Sequence, residues 1–84
     1  MYKIKISAKA KKQLKQIAKS YQQRAVQAAL EDIKDDPRIG KPLTRELTGR
    51  FTYKIGVYRI IYKVKEKEQI AFILSAGHRA SVYL

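Results

Sequence analysis

The chain of 84 residues has no cysteine and a single histidine. Without thiols there is no disulfide scaffold, no thiolate zinc site and no cysteine nucleophile. One imidazole cannot build a histidine-rich metal centre. The four glycines (Gly40, Gly49, Gly56, Gly77) stand apart, so no glycine-rich loop cradles a phosphate and no nucleotide cofactor is expected. No run approaches the roughly 18 apolar residues needed to cross a bilayer. The opening residues Tyr2-Lys3-Ile4-Lys5-Ile6 alternate and lack the apolar centre of a signal peptide. A cytoplasmic protein without cofactor, metal or membrane partner is the expectation. Acid is also scarce: seven Asp plus Glu stand against 19 Lys plus Arg, for a net charge of +12.

So much positive charge on a small body draws in polyanions from a distance. Nucleic acid ranks first, because neutralised phosphates release counterions. A membrane surface follows, and an acidic protein partner is compatible with either. The charge is uneven: residues 1–30 carry no acid, whereas residues 31–36 hold Glu31, Asp32, Asp35 and Asp36. From Arg38 to Lys65 the only acid is Glu46. Hydrophobic residues make up 45% of the chain, enough for one core, and residues 1–84 are expected to form one domain.

Tyr2, Ile4 and Ile6 share one side of an alternating run, the pattern of a half-buried strand. Ser7 is a candidate N-cap for a helix carrying Ala10, Leu14, Ile17, Ala18 and Tyr21 on one stripe. A break near Ser20 leads to a second helix with Val26, Ala29, Leu30 and Ile33, which Asp36-Pro37 ends. Residues 37–50 are punctuated by proline and glycine and read as a loop anchored by Leu43 and Leu47. Strand-like runs follow at 51–55, 58–65 and 70–76, with Gly56-Val57 as a turn and 66–69 as a polar turn. The run at 70–76 is nearly all apolar, as in a sheet centre, and Gly77 breaks it. The class is α+β: N-terminal strand, helical hairpin, then an antiparallel β-meander, with the helices on one face of a single antiparallel sheet. Tyr58 and Tyr62 share a parity and read as core.

Three features of the second half carry chemistry. Lys54 and Arg59 flank the predicted hairpin, and paired strands would bring them to one face. Gly77-His78-Arg79 lies where a strand leaves the sheet. Tyr83 lies close behind. Arginine grips phosphate with a planar fork and lysine adds a point charge, so Lys54, Arg59, Arg79 and Tyr83 together suit a phosphodiester. RNA brings its own nucleophile, the 2′-hydroxyl. A protein cleaves it by aligning that oxygen, neutralising the phosphorane and protonating the leaving 5′-oxygen. Lys12, Lys15, Arg45, Arg50 and His78 are further candidates for holding RNA, His78 also as a proton shuttle.

The stretches Leu47-Thr48-Gly49-Arg50, Tyr53-Lys54-Ile55-Gly56-Val57-Tyr58-Arg59-Ile60-Ile61-Tyr62 and Gly77-His78-Arg79-Ala80-Ser81-Val82-Tyr83 resemble the RelE/ParE toxin superfamily of toxin–antitoxin modules. The resemblance spans nearly the whole chain. It implies a RelE-like fold and a ribosome-dependent endoribonuclease that cuts mRNA in the 30S decoding site, against ribosomal RNA, without a metal. By the same resemblance Arg59 would stabilise charge on the scissile phosphate and Arg79 assist the leaving group. Tyr83 would orient or deprotonate the 2′-hydroxyl, and Lys54 raise the local potential. A cognate acidic, RelB-like antitoxin would neutralise the toxin in a hetero-oligomer. One position departs: some RNA-cleaving members carry a second lysine two residues after the first, where this chain has Gly56. Either the site is weaker for it, or Arg50 or Arg45 substitutes. The alternatives are a ParE-like inhibitor of DNA gyrase without RNase activity, and an inactive homologue that only binds antitoxin.

Overall fold

The computed structural model describes residues 2–20, 23–45 and 48–79. Strand β1 (Lys3–Ile6) leads into helices α1 (Ala8–Ser20) and α2 (Gln23–Asp35), then a 3-10 turn (Pro37–Ile39). Strands β2 (Lys41–Pro42), β3 (Arg50–Ile55), β4 (Tyr58–Lys65) and β5 (Ile70–His78) follow. This is the expected α+β order of strand, helical hairpin and meander. Tyr21, Leu47 and Tyr83 lie outside the described residues.

The five strands lie in the order β1-β5-β4-β3-β2. Strands β2 to β5 form the antiparallel meander, but β1 pairs parallel to β5, with Lys3 opposite Ile70 and Ile6 opposite Ile73. A wholly antiparallel sheet is therefore corrected to a mixed one. Three reversals separate β2 from β5, so a first strand running opposite to β2 must run with β5. The expected loop over 37–50 also holds more order than its prolines and glycines indicate. Its 3-10 turn is capped by Asp36, whose Oδ1 accepts from the Arg38 N–H at 3.1 Å. Its two-residue strand β2 sits at the sheet edge, where Pro42 is tolerated.

The core lies between the helices and one sheet face. Leu14 and Ile17 of α1 and Val26 and Ile33 of α2 pack with Ile55, Ile60, Tyr62, Ile73 and their neighbours. Truncating a fully buried member such as Ile33 or Ile60 to alanine costs about 2–5 kcal/mol. Strand β5 is less buried than its apolar sequence predicts. Ala71, Ile73 and Ala76 are buried, whereas Ile70, Phe72, Leu74 and Ser75 are only partly so. Both helices pack on one side of the sheet. The strand also runs through Gly77 to His78 rather than ending at the glycine.

A bulge interrupts the β4–β5 ladder. Ser75 stands opposite Ile61 and Ile73 opposite Tyr62, which leaves Leu74 as the extra residue. On its other side β5 loses its partner where β1 ends at Ile6 opposite Ile73, and Ser7 and α1 take over the backbone groups there. The Ser7 hydroxyl donates to the Leu74 carbonyl at 3.0 Å, and the Gln13 Oε1 accepts from the Ala76 N–H at 2.9 Å. Ser7 Oγ also accepts from the Ala10 N–H at 3.0 Å, so the predicted N-cap serves both helix and sheet.

Candidate nucleic-acid interface

Cross-strand register sorts the sheet into two faces. On the helix side, Ile55, Tyr58 and His78 form one row, and Tyr53, Ile60 and Ala76 the next. On the open side, Lys54 faces Arg59 and Arg59 faces Gly77. Behind them Lys41, Thr52, Ile61 and Ser75 form a second row. Arg50, Lys63, Phe72 and Lys5 form a third, and Lys65, Ile70 and Lys3 a fourth. No acidic residue stands in any of these open-face rows. The predicted convergence of Lys54 and Arg59 is thus a direct cross-strand pair.

A two-residue turn, Gly56-Val57, joins β3 to β4. Gly56 has φ 59°, the value that the first position of a type II′ hairpin turn requires. The glycine at this place therefore answers to turn geometry, since a lysine here would carry its Cβ into the left-handed region. Its carbonyl also holds the site: Arg59 Nη1 donates to the Tyr58 carbonyl at 3.2 Å and to the Gly56 carbonyl at 3.4 Å. The guanidinium is folded over the turn while Lys54 stays exposed beside it. Arg79 joins this end through its main chain, its N–H donating to the Val57 carbonyl at 2.8 Å. Arg79 is exposed and follows β5 by one residue. Lys54, Arg59 and Arg79 thus meet at one end of the sheet, from three segments. Tyr83, the fourth member of the set, lies outside the described residues.

Lys54 and Arg59 open onto a groove of about 530 Å³, lined also by Ile39, Lys41, Leu43, Thr52 and Tyr53. Its far wall is the 3-10 turn and β2, which a buried hydroxyl fixes in place. Tyr62, with no solvent exposure, donates to the Pro37 carbonyl at 2.7 Å and accepts from the Gly40 N–H at 3.0 Å. Burial raises the Tyr62 pKa, against the opposing effect of the Gly40 N–H. Gly40 is required for this close approach, because a Cβ there would strike the Tyr62 hydroxyl and lie 3.0 Å from the Thr52 carbonyl oxygen. Sequence reading placed Tyr62 in the core but had no signal for the hook.

The acidic cluster of α2 also finds its role here. The Tyr53 hydroxyl donates to Asp32 Oδ2 at 2.8 Å, which ties α2 to the strand that carries Lys54. That bond, with burial and the carboxylate's charge, raises the Tyr53 pKa.

The other candidates are dispersed. Arg50 lies on the open face but four residues from Lys54, about 14 Å along the strand. Arg45 sits in the β2–β3 loop at φ 60°, its carbonyl accepting from the Thr48 hydroxyl at 2.6 Å. The loop is closed at its base by the Leu43 N–H donating to the Arg50 carbonyl at 2.8 Å, so both arginines belong to the end away from Gly56. Neither stands beside Lys54 where a second lysine was sought. His78 points to the helix side with Tyr58, the rings edge to face at 6.1 Å. It lines a second groove, of about 390 Å³, with Lys12, Gln13 and Gln16 of α1. Lys15 is exposed on α1, beside an apolar groove that Leu14, Val26 and Leu30 also line.

A family model described as the ParE toxin of type II toxin–antitoxin systems, parDE, matches residues 4–83. Toxin RelG of Mycobacterium tuberculosis is 32% identical over 83 residues, covering 98% of this chain and 95% of RelG. The toxin–antitoxin complex RelBE2 of M. tuberculosis contains a chain that aligns with a TM-score of 0.72 at 31% identity, over 93% of this chain and 98% of that one. The intact E. coli RelBE complex aligns with a TM-score of 0.76 at 20% identity, over 93% and 96% of the two chains. At that identity the likeness is one of fold.

Proposed function

The chain belongs to the RelE/ParE family and is a toxin of a type II toxin–antitoxin system, and from that premise we propose that it cuts mRNA on the ribosome. The observation that carries this reading is the gathering of Lys54, Arg59 and Arg79 at one end of an acid-free sheet face. The proposed reaction needs no group beyond RNA and protein. The 2′-oxygen attacks phosphorus, the bond to the 5′-oxygen breaks, and a cyclic phosphate and a free 5′-hydroxyl result. Arg59, already anchored on the turn carbonyls, would neutralise charge as it grows on the phosphorane. Arg79 would assist the departing oxygen, Tyr83 align the 2′-hydroxyl, and Lys54 raise the potential that draws the phosphate in. Loss of one such charge-stabilising donor typically lowers rate about 10²–10³-fold.

The decisive experiment maps 5′ ends on a programmed ribosome by primer extension. Wild type should generate new ends inside translated codons. Arg59→Ala and Arg79→Ala should each lose about 10²–10³-fold in rate with unchanged thermal unfolding. Cutting at the wild-type rate by both variants refutes the site. The RelBE complexes support an antitoxin as partner, the net charge of +12 favours an acidic one, and adding it should abolish the new ends.

The ParE description of the matching family model supports a second reading, inhibition of DNA gyrase without RNA cleavage. Supercoiling by purified gyrase separates the two: uninhibited supercoiling eliminates it. An inactive antitoxin-binding homologue would leave growth unaffected when the chain is induced alone.

A further inference from the structure

Phe72 is the aromatic residue of the open-face rows. It stands between Lys63 of β4 and Lys5 of β1, with Arg50 one strand beyond. The Lys65 ammonium lies 5.5 Å from its ring centroid. Phe72 is half-buried and lies outside the core cluster and the partly buried hydrophobics packed on it. An aromatic ring on the sheet face away from the helices, ringed by cations and with no acid in its rows, is the chemistry of a platform for single-stranded nucleic acid. The ring takes a base by stacking while lysines take the flanking phosphates.

We propose that Phe72 is a base-stacking subsite, with Lys63 and Lys65 as its phosphate contacts, for the RNA strand whose backbone lies across Lys54 and Arg59. The inference rests on the RNA reading of this face but not on cleavage. Lys63 is four residues from Arg59, about 14 Å along β4. That separation exceeds one nucleotide and fits the lower end of single-strand sites, about four nucleotides. The lysine over the ring is no obstacle. Its ammonium is on a flexible stem, and an arriving strand offers the ring a larger π surface and the ammonium a phosphate.

The chain contains no tryptophan, so Phe72→Trp installs a single fluorophore at the proposed platform. Titration of the purified variant with an unstructured six-nucleotide RNA should quench its emission saturably, and more weakly as salt rises. A dinucleotide should quench poorly, being too short to reach from Arg59. In parallel, Phe72→Leu should weaken binding of a labelled hexamer about 5- to 150-fold, the range for loss of one stacked base. Emission that is unmoved while the hexamer still binds by anisotropy overturns the proposal. So does equal quenching by a fully paired hairpin, whose bases cannot leave their stack, or quenching by an acidic peptide and not by RNA. Should Phe72→Leu fail to fold, the tryptophan titration alone decides. The measurement needs neither ribosome nor cleavage, so a chain that quenches but never cuts refutes the nuclease reading and leaves this one standing.

Discussion

Replacing Tyr62 with phenylalanine removes one oxygen from a side chain that solvent does not reach. That oxygen satisfies two backbone groups, the Pro37 carbonyl at 2.7 Å and the Gly40 N–H at 3.0 Å. Each buried group left without a partner costs about 1–3 kcal/mol. Part of this is offset, because the variant no longer desolvates a hydroxyl. A net loss of about 2–3 kcal/mol is expected. In a domain of this length each kcal/mol moves the melting midpoint by about 4–8 °C, so the variant should melt roughly 10–20 °C lower. Urea denaturation followed by circular dichroism gives the free energy, with the m-value reporting whether the native state stays compact. A loss below about 0.5 kcal/mol, the level of an ordinary surface change, would show that the hydroxyl does not secure the 3-10 turn. Gly40→Ala supplies the second arm. Alone it forces a methyl against the Tyr62 hydroxyl and the Thr52 carbonyl, at about 1–3 kcal/mol for overpacking. With the hydroxyl gone, part of that clash goes too, so the double variant should show a coupling of about 1 kcal/mol. Strict additivity would refute the contact geometry.

Three further outcomes are expected. Ser7→Ala removes both the α1 cap and the bond to the Leu74 carbonyl, and should cost about 1–2 kcal/mol in the same urea assay; an unchanged midpoint would mean that Ser7 secures neither helix nor sheet. Tyr53 has its pKa raised above 10.0, first by its bond to Asp32, so the folded state holds that proton more tightly than the unfolded chain does. The associated stability is complete below pH 10.0 and is lost as pH rises through the raised value. Tyr53→Phe should therefore flatten the alkaline fall in stability, and identical alkaline limbs would refute the assignment. Lys63→Gln should reduce the salt slope of single-stranded RNA binding by about 0.7, the share of one phosphate contact; an unaltered slope removes Lys63 from the interface.

The elements most legible in the sequence were those with a repeating period. Both helices carry their apolar stripe, and the 58–65 run alternates except at Ile61, so existence and order were readable. Lys54 and Arg59 were readable as a pair because a two-residue turn between alternating runs fixes the register. What escaped was set by contacts remote in sequence. Strand β2 has two residues, too few for any period. The parallel pairing of β1 depends on the parity of reversals across the whole chain. The partial burial of β5 was hidden because Ile70 and Phe72 are apolar on the side away from the helices, which made a one-sided strand look like a central one. Gly56-Val57 was legible as a turn, but Gly56 also stood as the place of a missing lysine; its positive φ accounts for the glycine, and its carbonyl holds Arg59, a contact with no sign in the sequence.

The two faces of the sheet answer different demands. One is dry and packed on the helices, and it sustains the fold. The other places Lys54 opposite Arg59 and Arg50 opposite Lys63, like charges directly across antiparallel strands. Such pairs destabilise a sheet, each by a fraction of a kcal/mol. Folding alone gives no reason to stack them, and a chain whose small core leaves a thin margin has the least room for them. A polyanion removes the repulsion, because the phosphate takes both cations as partners. Pairs that weaken the isolated chain would therefore strengthen a complex with a polyanion, and the RNA of the proposed function and an acidic antitoxin would both satisfy them by that chemistry. Under the RNA reading proposed above, inhibitor and substrate would then compete for this face, and mutual exclusion would have a physical origin without any change of fold.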